Sequence, residues 1–247
     1  RLFEFPLGIF TVSVAQAVLP SMSRQAAACE MDQLKESLAF GLRLTLFVTI
    51  PAMAGLLACA TPIFSLLFMG GHFDFAMAVK SGEALFYYSL GLAFVAMVRV
   101  LVPAFYALKD TATPVKIAFL AFILNVVFSL ILMKPLLHGG LALASTLSAM
   151  FNMILLLYFL RRKIGPFGGQ NIAFAGGKTA LASVPMLLAV SWGVSLVNWS
   201  AQGHKLYKAA SLCGIVAGGV LLFILFAHLF RCEEVHDAVK VIRRRFR

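Results

Sequence analysis

Seven apolar stretches, each long enough to cross a lipid bilayer, follow one another along the chain. That pattern decides the solvent in which the chain folds. A hydrocarbon core of about 30 Å is crossed by about 20 apolar residues in a helix. In lipid the backbone must satisfy its own hydrogen bonds, which leaves only helices or closed barrels. Barrel strands would read as segments of about ten residues with alternating polarity. Here the runs are continuous, so the sequence predicts an all-α integral membrane protein with seven transmembrane helices.

Hydrophobic residues make up 61% of the 247 residues and charged residues 13%, where a soluble domain holds about 45–50% and about 25%. One bundle exhausts this length, with little left for a soluble domain. No secretory leader pattern opens the chain, and Arg1 leads straight into an apolar run, so a piece of a longer protein is expected. The net charge is +11. Its carriers lie in short loops between apolar runs, which points to membrane topology and away from a nucleic-acid partner. Cys29, Cys59, Cys213 and Cys232 are scattered, without CxxC or Cys/His ligand spacing, so neither zinc nor a disulfide framework is supported. The sequence contains no Walker A loop, dinucleotide glycine turn or nucleophile–base–acid arrangement. The expectation is a protein that is not an enzyme and carries no cofactor. Any transport would then draw on a gradient, the membrane potential or a partner.

The predicted spans cover about 2–20, 38–68, 83–108, 114–133, 139–160, 174–197 and 207–230. Pro20 reads as a stop for the first. Residues 21–37 read as a surface helix, and the tight link at 109–113 as the turn of an antiparallel hairpin. Suppose the loops at 21–37, 109–113 and 161–173 and the tail share one side. That side then holds Arg24, Lys35, Lys109, Lys116, Arg161, Arg162, Lys163, Lys178, Arg231, Lys240 and the closing arginines, against Lys80, Lys134, Lys205 and Lys208 on the other. The positive-inside rule places the first side, and the C-terminus, in the cytoplasm.

Ionisable groups at membrane depth are expensive and mark a partner or a wet cavity. Arg1 and Glu4 are three residues apart, on one helix face. They read either as a self-neutralising pair near the headgroups or as a cationic site for an anionic substrate. Arg43, one turn into the second span, reads as an interfacial snorkelling residue. Arg99 lies deep in the third, where a structural hydrogen bond and a ligand contact fit equally. Asn125 and Ser129 share one face, and Ser145, Thr146, Ser148 and Asn152 stand on the next span. Their oxygens suit either Na⁺ or interhelical hydrogen bonding, the commoner use of polar residues in bundles. His72, His138, His204, His228 and His236 fall mainly in loops or near helix ends, without metal-ligand spacing.

Three strings go beyond hydropathy: RLFEFPLGIFTVSVAQAVLPSMS from residue 1, GLRLTLFVTIPAMAGL at 41–56, and VLVPAFYALKDTATPVKIA at 100–118. Together they resemble the MurJ/MviN family of bacterial lipid II flippases, in the multidrug/oligosaccharidyl-lipid/polysaccharide exporter superfamily. The likeness covers the whole chain, by motif in its first half and by position and hydropathy in its last two spans. It implies a fourteen-helix fold of two six-helix lobes plus two C-terminal helices, of which this chain would supply helices eight to fourteen. Residues 1–165 would form the second lobe's five spans, residues 166–231 the two additional helices, and residues 232–247 a basic cytoplasmic tail. The first lobe would be a partner from the same protein.

The resemblance further implies transport of lipid II, an undecaprenyl-pyrophosphate-linked peptidoglycan precursor, across the bacterial cytoplasmic membrane by alternating access in cell wall biogenesis. Arg1 matches the family's essential cavity arginine, thought to meet the pyrophosphate, and Glu4 the nearby acidic position. Arg43 and Arg99 are candidates for cavity or gating roles. Asn125, Ser129 and Ser145 correspond to positions near the Na⁺ site of some members, where Ser129 replaces a carboxylate. The last two helices would form a groove for the lipid tail. The rival readings are an exporter of another polyprenyl-linked glycan or of a drug, and a membrane scaffold whose polar residues only pack.

Overall fold

The computed structural model describes residues 2–201, 205–232 and 234. Arg1, His204, His236, Lys240 and the closing arginines Arg243, Arg244, Arg245 and Arg247 lie outside the described residues. The chain opens with the short helix α1 (Glu4–Pro6), a π-helical turn (Leu7–Thr11) and α2 (Val12–Ala27). There follow α3 (Met31–Phe68), α4 (Phe75–Leu90), α5 (Leu92–Ala107), α6 (Ala112–Ile164), α7 (Gly169–Ser195) and α8 (Lys205–Leu229). Every predicted apolar segment falls on helix. Among the described residues four helices, α3, α6, α7 and α8, are long and apolar enough to cross a membrane, and α4 and α5, bent by 42° at Gly91, meet the same measure only as a pair. The opening segment is not among them, because its regular part α2 has 16 residues.

Helix α6 joins two predicted spans in a hairpin. Leu137 breaks it with a non-helical backbone (φ 48°, ψ −124°). Partner numbers then run in opposite directions along the two limbs. Ser148 Oγ donates to the Ala121 carbonyl at 2.7 Å, and Asn125 Nδ2 to Ser145 Oγ at 3.3 Å. At the tip, Gly140 lies so close to the Leu132 carbonyl that a Cβ would collide with it.

Two boundaries differ from expectation. Pro20 does not stop the first span, since α2 runs through it to Ala27. In membrane helices the one freed carbonyl is tolerable where neighbours or the local geometry re-satisfy it. Residues 21–37 are correspondingly not one surface helix. They complete α2, turn at Ala28–Glu30 and begin α3. The turn places Cys29 in the left-handed region (φ 58°), and the Glu30 amide donates back to the Gln25 carbonyl at 2.9 Å. That closure satisfies carbonyls that the helix end leaves open. The same device ends α5 at Lys109 and α8 at Arg231, with the amides of Asp110 and Cys232 bonded to Phe105 and Ala227.

Helix α3 is the organising element. Its 38 residues span about 57 Å, well beyond the hydrocarbon core. It packs against α2, α4, α5, α7 and α8. Leu38, Leu42 and Leu46, one turn apart, share one buried cluster with Val18 and Met22 of α2, Val100, Leu101 and Phe105 of α5, and Leu156 and Leu160 of α6. A second cluster joins Phe47 and Cys59 of α3 to Met186 and Val190 of α7 and Phe223 of α8. Lipid tails are as apolar as these side chains, so close packing and interhelical hydrogen bonds hold the helices together.

Candidate functional site

The α4–α5 break shapes one wall of the bundle. At Gly91 the backbone amide bonds to Tyr88 instead of continuing the helical pattern, and the Tyr87 carbonyl turns to the Thr146 hydroxyl of α6 at 2.7 Å. A Cβ on Gly91 would stand 2.7 Å from that hydroxyl, so only glycine admits α6 at the bend. Beyond it, α5 lies along α2, and between them opens a groove of about 460 Å³. Among the described residues its walls are apolar except for Gln16 of α2 and Arg99 of α5. Arg99 is half-buried there. A guanidinium beside an apolar wall presents a rigid fork suited to phosphate oxygens.

Glu4 is exposed at the head of the opening helix. Twelve residues separate it from Gln16, about 18 Å along a helix. The ring of neighbouring Phe3 stacks on Tyr88 of α4, with centroids 5.1 Å apart. Leu7, fully buried, packs with Leu92 and Ala96 of α5. The opening segment is thus anchored to α4 and α5 near the bend.

The remaining predicted residues do not converge on the groove. Arg43 faces α7 instead of snorkelling alone. It lines a recess with Asn171 and Lys178, and its Nε stands 3.9 Å from the Glu234 carboxylate. Asn125 and Ser145 lie in the α6 hairpin, where they bond to each other, and Ser145 Oγ also reaches the Leu141 carbonyl at 3.1 Å. Ser129 sits half-buried one turn further on. Among the described residues no group of three or more His, Cys, Asp or Glu is placed to hold a metal ion.

Two polar centres escaped sequence reasoning. Lys208, expected at the outer end of the last span, is 3% exposed. Its Nζ donates to the carbonyls of Trp199 (2.8 Å) and Ala201 (2.7 Å) and to Ser65 Oγ (3.2 Å). Ser65 in turn donates to the Trp199 carbonyl at 2.6 Å, tying the α7–α8 link to α3. No local pattern marks Lys208. Asp110 did carry a signal, an Asp three residues ahead of Thr113 at a helix start. It accepts from the Thr113 amide (3.0 Å), the Thr113 hydroxyl (2.8 Å) and Lys163 Nζ (2.7 Å). The Lys163 hydrogen bond foremost, then the Thr113 amide, lowers the Asp110 carboxyl to about 2.

Residues 1–230 match the family model described as "Lipid II flippase MurJ". The probable lipid II flippase MurJ of Vibrio cholerae serotype O1 is 32% identical over 91% of this chain and 43% of its own length. That of Rickettsia prowazekii is 31% identical over 97% of this chain and 48% of its own. A solved structure titled "Lipid II flippase MurJ, inward closed conformation" superposes with a TM-score of 0.74 at 25% identity, over 93% of this chain and 45% of that one. The chain thus spans less than half the length of these relatives.

Proposed function

This chain belongs to the MurJ family of lipid II flippases, and from that premise we propose that it forms the C-terminal part of a transporter for polyprenyl-diphosphate-linked peptidoglycan precursor. The observation that carries the reading is the match along residues 1–230, which takes in the whole helical scaffold around the Arg99 groove. The basic loops Lys109 and Arg161–Lys163 would face the cytoplasm, by the positive-inside rule. The protein would sit in the bacterial inner membrane, completed by a first lobe.

In this mechanism no covalent bond changes. The precursor's diphosphate must leave water to cross, and a fixed cation lowers that cost. Arg1 would meet the diphosphate at the head of the opening segment, with Glu4 orienting it between cycles. Arg99 would offer a guanidinium of its own in the α2–α5 groove. Arg43 has a separate position against α7, so any gating role it plays acts away from the groove. Asn125, Ser129 and Ser145 supply only neutral oxygens, and two of them already bond to each other. A Na⁺ ion held there would take its balancing charge from elsewhere in the protein, and no step is routed through it.

The test is lipid II export in cells whose only copy carries the variant. Arg1→Ala is expected to leave lipid II in the inner leaflet while the protein still accumulates in the membrane. Arg1→Lys, a point charge without the planar fork, is expected to restore export in part. Export at the normal rate by Arg1→Ala would overturn the assignment.

A further inference from the structure

At the closed end of the α6 hairpin, away from Lys109 and Arg161–Lys163, a cleft of about 550 Å³ opens between α3, α4, α6 and α7. Two close approaches frame it. Gly82 of α4 lies against Thr61 of α3, where a Cβ would stand 2.6 Å from the hydroxyl. Gly139 of α6 lies against the Tyr87 ring of α4, where a Cβ would stand 2.8 Å away. The His138 ring nitrogen Nε2 bonds to the Lys80 carbonyl at 3.1 Å and ties the hairpin tip to α4. The frame is thus set where helices touch at glycine.

Among the described residues Glu83 is the one charged side chain lining this cleft. It lies eight residues into α4 from Phe75, about 12 Å along the helix. Its side chain is 59% exposed, and its ion-pair partner His138 stands 3.7 Å away, beyond hydrogen-bond reach. A carboxylate set among membrane helices calls for a cation or a wet cavity. The rings of Phe86 and Tyr87, edge to face with centroids 5.7 Å apart, line the same cleft, and aromatic faces also attract cations. Leu57, Leu136 and Val194 make the apolar wall. Lys80, one turn before Glu83, and Lys134, beside the hairpin tip, are exposed.

We propose that this cleft is a headgroup site for a zwitterionic aminophospholipid. Glu83 and the two rings take the primary ammonium, Lys80 and Lys134 face the phosphodiester, and the acyl chains leave along the apolar wall. The order of charges carries the assignment, with an anion inside the cleft and cations next to it. An anionic headgroup would find no partner for Glu83. A free ammonium ion would pair with Glu83 and leave the lysines and the apolar wall unused. The site stands apart from the α2–α5 groove, so its test needs no transport readout and does not depend on the lipid II assignment.

The experiment takes the full-length protein, purified into neutral detergent and delipidated. Its thermal midpoint is followed as phosphatidylethanolamine, phosphatidylglycerol or ethylammonium chloride is added. Phosphatidylethanolamine is expected to raise the midpoint saturably, and the other two are not. Glu83→Gln should raise its half-saturating concentration about tenfold or more. Glu30→Gln, which neutralises an exposed acid between α2 and α3, should leave it unchanged. If Glu83→Gln fails to fold, the comparison of lipids on the wild-type protein decides. An equal shift from phosphatidylglycerol or ethylammonium, undiminished binding in Glu83→Gln, or an equal loss in Glu30→Gln would overturn the proposal.

Discussion

Asp110 and Lys163, 53 residues apart in sequence, meet at 2.7 Å across the open end of the α6 hairpin. The same carboxylate caps the start of α6 through the Thr113 amide. One side chain therefore begins the hairpin's first limb and clamps the end of its second. The tight 109–113 link places that carboxylate beside the last turn of α6, where the basic residues Arg161, Arg162 and Lys163 cluster.

Neutralising either partner should loosen the hairpin by a modest amount. Asp110→Asn is expected to cost about 1–2 kcal/mol, since it weakens a helix cap and the ion pair together. Lys163→Met should cost less, because Lys163 is 41% exposed. A double-mutant cycle in denaturant unfolding should return a coupling of about 0.5–1 kcal/mol. Full additivity would mean that the pair contributes nothing.

The Asp110 pair also sets a pH dependence. Folding lowers this carboxyl from 3.8 to about 2, so its contribution is fully present above the unfolded value. It fades as pH falls from about 4 towards 2, because the unfolded chain binds the proton first. Unfolding midpoints of wild type and Asp110→Asn should therefore converge over that interval and stay parallel above pH 5. Curves that remain parallel down to pH 2 would exclude the effect.

The bend at Gly91 depends on Thr146. Thr146→Val keeps the shape but leaves the Tyr87 carbonyl without its donor, at a cost of about 1–3 kcal/mol. Gly91→Ala forces a shift of α6 and should lower the thermal midpoint as well. Hydrogen exchange of the α4–α5 junction should rise in Thr146→Val more than exchange in α8. Equal change in both would show a general loosening instead.

Lys208 anchors the α7–α8 link. Lys208→Met retains the apolar stem and removes the bonds to Trp199, Ala201 and Ser65, an expected loss of about 2–3 kcal/mol. Limited proteolysis should then cut within residues 196–201 faster than in wild type. An unaltered cleavage rate would place the anchor elsewhere.

Among the described residues, Arg99 is the one charged side chain lining the groove. Arg99→Ala should lower lipid II export about tenfold or more without changing the thermal midpoint, and Arg99→Lys should recover part of it. A fall in stability matching the fall in export would make Arg99 a packing residue.

Hydropathy alone determined that this chain is a bundle of membrane helices, and roughly where each helix lies. Moving a twenty-residue apolar run into lipid is nearly a local sum, so it can be read residue by residue. The motif around Tyr106–Asp110–Thr113–Pro114 likewise carried the family resemblance without any fold. Tertiary structure decided which polar groups meet. Lys208 finds Ser65 across 143 positions, and Thr146 finds Tyr87 across 59. It also separated Arg43 from Arg99, which look alike as lone arginines in apolar spans. A buried donor or cation takes whichever acceptor packing brings to it, and that choice belongs to helix contacts distant in sequence.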